Sequence, residues 1–198
     1  MAEAFALIGR GHLSTWEIRI PPREPSPTLV EVLKRLNSFM VTASEAGNEL
    51  LIDALLAEIV LLYPSLRVWK SETLDTDTLT GLADYLIVPY LDYLSTPLMC
   101  VVEAKRDDFV MGEIQCLGEM HACRRKNEAA GLRTGVHGIV SNGQAWVFYR
   151  WTADDSEFGR TALFGIHALR QLLSALDYVC ATCDAQLAAA QHTWASSR

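Results

Sequence analysis

The run Met99-Cys100-Val101-Val102-Glu103-Ala104-Lys105 constrains this chain more than any other segment. Four apolar residues in a row read as a strand buried on both faces of a sheet. Such a strand needs cover above and below, which points to a layered α/β or α+β domain. The same strand ends on two charges. Side chains alternate across a sheet, so Glu103 and Lys105 share one face, about 6.6–6.8 Å apart, and Ala104 takes the other. Charges at the rim of a core are costly unless they pair or hold a metal.

Helical periodicity supplies the cover. Ser26 reads as an N-cap and Pro27 as a first helical residue, with Leu29, Val32, Leu33, Leu36 and Met40 as one apolar stripe. Thr42-Ala43-Ser44-Glu45 reads as a capping box, Glu45 reaching back to the cap amide of a second helix that runs to about Tyr63. That helix is apolar around much of its circumference. Its acidic stripe is Glu45, Glu49 and Asp53, with Glu58 on the opposite side. Three strands are expected over 66–74, 81–90 and 98–106, the first two joined by an Asp75-Thr76-Asp77-Thr78 turn. A helix over 111–130 follows, closed by Gly131. Strands over 136–140 and 145–151 flank an Asn142-Gly143 hairpin turn, and a polar loop over 152–165 leads to a helix over 167–191. Near the start, Ile18 and Ile20 alternate about Arg19 as one short strand. Residues 1–26 read as an N-terminal extension and 27–198 as a single domain with a C-terminal helix.

Size and charge narrow the function. With 198 residues and 50% hydrophobic composition the chain can bury a sizeable core, and disorder along its whole length is excluded. A net charge of −7 excludes a generally basic protein that coats phosphates. No apolar run reaches the roughly 20 residues of a membrane span, and no signal-peptide pattern opens the chain. The five cysteines, an odd number, fit a reducing cytoplasm better than a disulfide framework. Cys180-Ala-Thr-Cys183 has no second pair at zinc-site spacing and reads as core.

Asp84 sits in the strand before Glu103. If the two strands are antiparallel neighbours, the two carboxylates converge. They then repel, and a divalent cation is the usual relief. Oxygen ligands of this kind suit Mg²⁺, which keeps several waters. Lys105 would orient the attacking water or stabilise developing negative charge. Taken alone, Glu103 and Lys105 also read as a same-face ion pair at a strand end.

At these residues the chain resembles the PD-(D/E)XK superfamily, the restriction-endonuclease-like nucleases. Asp84 matches the family's first acid and Glu103-Ala104-Lys105 its (D/E)-X-K element. Glu49, or else Glu45, matches the acid of the preceding helix, and Gln115 the glutamine of the following one. The α-β-β-β-α-β order over about residues 42–150 matches as well. The nearest likeness is to N-terminal nuclease domains of type I restriction subunits and small stand-alone relatives. The chain departs from them at position 119, where Glu stands in place of Tyr, and at Ala83, where the motif has a Pro that is often missing in the family.

The resemblance implies an α/β fold with a restriction-endonuclease-like core, a mixed β-sheet flanked by helices. It implies a Mg²⁺- or Mn²⁺-dependent nuclease hydrolysing phosphodiester bonds, DNA favoured, in defence or DNA processing. Asp84 and Glu103 would bind the metal, with Glu49, Lys105 and Gln115 completing the catalytic set. Nucleic acid is the implied partner, with a homodimer or larger complex supplying specificity. The alternative is a catalytically inactive module that keeps the fold for binding or assembly. Arg124-Arg125-Lys126 divides the same way. It either complements a helix dipole or, with Lys105, Arg106 and Arg133, lines a phosphate-contacting edge.

Overall fold

The computed structural model describes residues 5–6, 9, 12–75, 80–105 and 108–196, the side chains of 75, 80 and 191–196 excepted. Among them the elements run β1 (Ser14–Thr15), α1 (Pro27–Leu36), α2 (Glu45–Val60), β2 (Leu66–Asp75), β3 (Thr80–Pro89) and β4 (Cys100–Ala104). They continue with α3 (Phe109–Ala129), β5 (Val136–Ser141), β6 (Ala145–Trp151), β7 (Phe158–Arg160), β8 (Phe164–Gly165) and α4 (Leu169–Ser196).

The strands form one open mixed sheet in the order β1-β7-β6-β5-β4-β3-β2, with β8 beside β6. β4 and β5 are parallel and joined by α3, as a parallel pair requires a crossover. β3 is antiparallel to β4, with Tyr85 opposite Val102 and Ile87 opposite Cys100. Alternation then sorts the side chains into two cores. Tyr85, Ile87, Cys100 and Val102 pack under α2 and α4, against Ile52, Leu55, Leu172 and Leu176. Leu86, Val88, Val101 and Val140 pack under α3, against Cys116, Leu117 and Met120. The unbroken apolar run of β4 is thus covered on both faces, and all five residues of the strand are buried.

Local chemistry sets several boundaries. Ser26 caps α1, its Oγ accepting from the Leu29 amide at 3.0 Å. Glu58 of α2 holds that cap, accepting from the Ser26 amide at 2.7 Å and hydroxyl at 2.8 Å. Gly143 turns the β5–β6 hairpin at φ +78°, in the left-handed region where a side chain is strained.

Other boundaries differ from the sequence reading. Helix α1 stops at Leu36, and Met40, placed on its stripe, is 79% exposed. Val32 is exposed as well, so only Leu29 and, partly buried, Leu33 reach the core. Thr42 does not cap α2. Val41–Ala43 forms a 3₁₀ turn, and Ser44 is the N-cap, accepting from the Gly47 amide at 3.0 Å. Glu45 is therefore the first helical residue, not the third, and no capping box forms. Ser44→Ala should cost about 1 kcal/mol of stability and Thr42→Ala close to nothing, which urea melts of the two variants would separate.

Ile18 to Ile20 is not a strand; the N-terminal strand is Ser14–Thr15, parallel to β7. Trp16 beside it is buried, and Arg23 pairs with Asp177 of α4 at 2.9 Å, so residues 14–25 are built into the domain. The stretch read as a polar loop carries β7 and β8, paired to β6. Of the turn read over 75–78, residues 76–78 lie outside the described residues, as does Arg106. All five cysteines are free and buried, with Cys180 and Cys183 in the same core as Cys100. No helix among the described residues is long and apolar enough to cross a membrane.

Candidate active site

The ladder between β3 and β4 ends one residue short of pairing Asp84 with Glu103. Asp84 takes over there with its side chain: the Ala104 amide donates to Asp84 Oδ2 at 2.7 Å. The neighbouring β2 is irregular at the same level, where Ser71 has φ +56° between the Lys70–Tyr85 and Glu72–Ala83 pairs. Two residues beyond Val101, Glu103 faces α3 and is fully buried. Lys105 follows on the same face, as alternation requires. Its Nζ lies 2.8 Å from Glu103 Oε1 and 3.9 Å from Glu45 Oε1. Gly112 of α3 makes room for it: a Cβ there would fall 2.8 Å from Lys105 Cγ.

A further acid completes this cluster. Glu119 of α3 is 3% exposed, and its carboxyl meets that of Glu103. Burial pushes both carboxyls above the ordinary range; the charge of Glu103 and the contact with it raise Glu119 further, whereas Glu103 is raised by the Asp84 charge and held back by its contacts with Lys105 and Glu119. Burial also raises Asp84, opposed by the Ala104 amide and the Lys105 charge. Burial lowers Lys105, but its contact with Glu103 and the charges of Glu103, Asp84 and Glu45 outweigh it, so the ammonium is held above its usual value. Among the described residues, neither Glu103 oxygen, nor Glu119 Oε2, has a hydrogen-bond partner of good geometry. The Lys105 contact is thus a close ion pair, not a directed bond.

The other expected residues are placed differently. Glu49 and Asp53 both face Lys70 of β2, whose Nζ is 3.2 Å from Glu49 Oε2 and 3.0 Å from each Asp53 oxygen. Glu45, rather than Glu49, is the helix acid beside Lys105. Gln115 is exposed on α3, and among the described residues no hydrogen bond ties it to the cluster. Arg124 is occupied structurally, 3.0 Å from Glu128, donating to the Thr152 carbonyl and stacked over Trp151. Arg125 also pairs with Glu128, at 3.3 Å.

Glu119 escaped the sequence reading as a site residue, although a signal was present. Gly112, Cys116, Glu119 and Cys123 recur at helical spacing, which puts the acid on the inner face of α3. Lys70 had no comparable signal, because its partners come from another element. No protein-family model, curated protein or solved structure matches this chain.

The donor set fits a hard divalent cation in part. Asp84 and Glu103 offer carboxylate oxygens from adjoining strands, and the Glu103 oxygens lack hydrogen-bond donors. Among the described residues, no three His, Cys, Asp or Glu side chains already converge as a metal site. Two protein carboxylates with water filling the remaining positions is the arrangement Mg²⁺ commonly accepts.

Proposed function

We propose that the chain is a divalent-metal-dependent hydrolase of phosphodiester bonds in nucleic acid, DNA favoured, on a restriction-endonuclease-like core. The supporting observation is the meeting of Asp84, Glu103 and Lys105 where the C-terminal end of β4 lies beside the middle of β3, with Glu103 wholly out of solvent. A surface ion pair explains two of these groups but not the burial of an acid beside a second and a third. Asp84 and Glu103 would hold Mg²⁺ or Mn²⁺. Bound there, the ion would lower the pKa of a water and stabilise charge on a phosphoryl oxygen. The Ala104 amide orients the Asp84 carboxylate. Lys105 keeps its proton and offers a cation to the negative charge that develops on phosphorus-bound oxygen. Glu49 and Gln115 carry no step in this reading.

Cleavage assays on single- and double-stranded DNA and RNA with Mn²⁺, wild type against Glu103→Ala, test it. Lys105→Ala should lower cleavage about 10²–10³-fold while nucleic-acid binding is kept. Wild type leaving every form intact would sink the reading. A second reading, a binding or assembly module without chemistry, is favoured by the same burial: Glu103 has no solvent exposure through which a substrate could reach it. It predicts nucleic-acid or protein binding that survives Glu103→Ala.

A further inference from the structure

Helix α2 is apolar on two opposite faces, and only one of them is covered. Leu51, Ile52, Leu55, Leu56 and Ile59 face the core and are buried. Across the helix from them, Leu50, Ala54, Ala57 and Leu61 follow at i, i+4, i+7 and i+11, the spacing of a single helix face. Leu61 is 83% exposed and Leu50 41%, Ala57 is exposed and Ala54 half-buried. A groove of about 480 Å³ between α1 and α2 widens this strip with the exposed Val32 and Leu62. An amphipathic surface helix needs one apolar face; a second, contiguous and open one marks a surface that is covered by something else.

The order of residues along the strip says what covers it. Leucines stand at its ends and alanines in its middle, so it reads the same in both directions about a point between Leu55 and Leu56. A second α2 laid antiparallel about a two-fold axis at that point brings Leu50 opposite Leu61 of the other copy and Ala54 opposite Ala57. The small central pairs let the helix axes approach closely, and the leucines close the ends. The acids that flank the strip are matched within their own chain. Asp53 is held by Lys70 at 3.0 Å, and Glu58 by the Ser26 amide and hydroxyl. We propose that this face of α2 is a homodimer interface, two copies of the chain pairing antiparallel along it. The pairing is independent of the chemistry of the Glu103 cluster. The strip spans roughly 16 Å of helix, which places the interface at the small end of specific ones and its association in the micromolar range.

Sedimentation equilibrium of the full chain, from micromolar to millimolar protein, should show a monomer–dimer equilibrium. Ala57→Arg sets a long charged side chain at the centre of the strip and should raise the dissociation constant at least about tenfold. Its circular dichroism and its melting temperature at low concentration should stay those of wild type, since position 57 is exposed. Should Ala57→Arg fail to fold, Leu61→Lys at the exposed end of the strip carries the same expectation. Cysteine pairing reads the register, and the native cysteines are all buried. Oxidising Leu50→Cys mixed with Leu61→Cys should link the two variants. Neither should link to itself, because like positions stand roughly 16 Å apart across the two-fold, beyond disulfide reach. A wild type that stays monomeric to millimolar concentration overturns the proposal and leaves the face to a different protein. A dimer that Ala57→Arg and Leu61→Lys leave intact, or one that Leu50→Cys links to itself, overturns it too.

Discussion

Lys105→Ala is expected to destabilise the protein by about 3 kcal/mol at neutral pH, over and above its effect on cleavage. The ammonium is 2.8 Å from a carboxyl that is itself 1% exposed. Removing it leaves the buried Glu103 carboxylate facing the Asp84 charge without its cation. The loss should depend on pH in a definite direction. Glu103 already has its carboxyl raised by burial, and without Lys105 it rises further. A carboxyl raised on folding is tolerated when protonated and penalised when ionised, so stability falls as pH climbs through its folded value. The variant should therefore stand closest to wild type near pH 5 and furthest behind near pH 8. Adding Glu103→Gln to Lys105→Ala should recover most of the loss, giving a coupling energy of about 2 kcal/mol in a double-mutant cycle. Urea melts across that pH range supply the test. A Lys105→Ala protein as stable as wild type at pH 8 would mean that the pair behaves as an exposed one.

His137 should dominate the acid limb. It lies on β5, 1% exposed, between Trp16, whose ring centroid is 6.0 Å away, and the cationic Arg150. Neither ring nitrogen has a hydrogen-bond partner among the described residues. Burial, then the Arg150 charge, pushes its pKa down to about 4. The unfolded chain therefore binds a proton between the ordinary histidine value, about 6.5, and about 4, while the folded one does not. Stability is intact above that window and declines as pH falls through it, by roughly 3 kcal/mol at the bottom. His137→Leu should remove that decline. The measurement is the difference in unfolding free energy between pH 7.5 and pH 4.5, wild type against variant. Equal differences in the two proteins would show that His137 is not the group being protonated. The carboxyls of Glu103 and Glu119 act in the opposite sense, because acid neutralises them, so the subtraction between proteins is needed.

Much of the site's frame was legible because it depends on local rules. Period two put Glu103 and Lys105 on one face, and an unbroken apolar run announced a strand covered on both sides. Ser26 before Pro27 marked a true cap. The Thr42 cap misled because Ser44, two residues on, has the same chemistry. Which hydroxyl caps α2 was settled by the 3₁₀ turn at Val41–Ala43. β7 and β8 are three and two residues long, too short to show an alternation of their own.

What the chain determines alone is therefore its periodicity: which segments are strands or helices, and which side chains share a face. The partners across faces came from packing. Glu119 meets Glu103 because α3 crosses directly above β4, and Lys70 takes Glu49 and Asp53 because β2 lies beside α2. Such meetings follow from distances between elements far apart in sequence, which no short-range pattern encodes. That is why an acid read as a departure from a motif stands at the centre of the charged cluster.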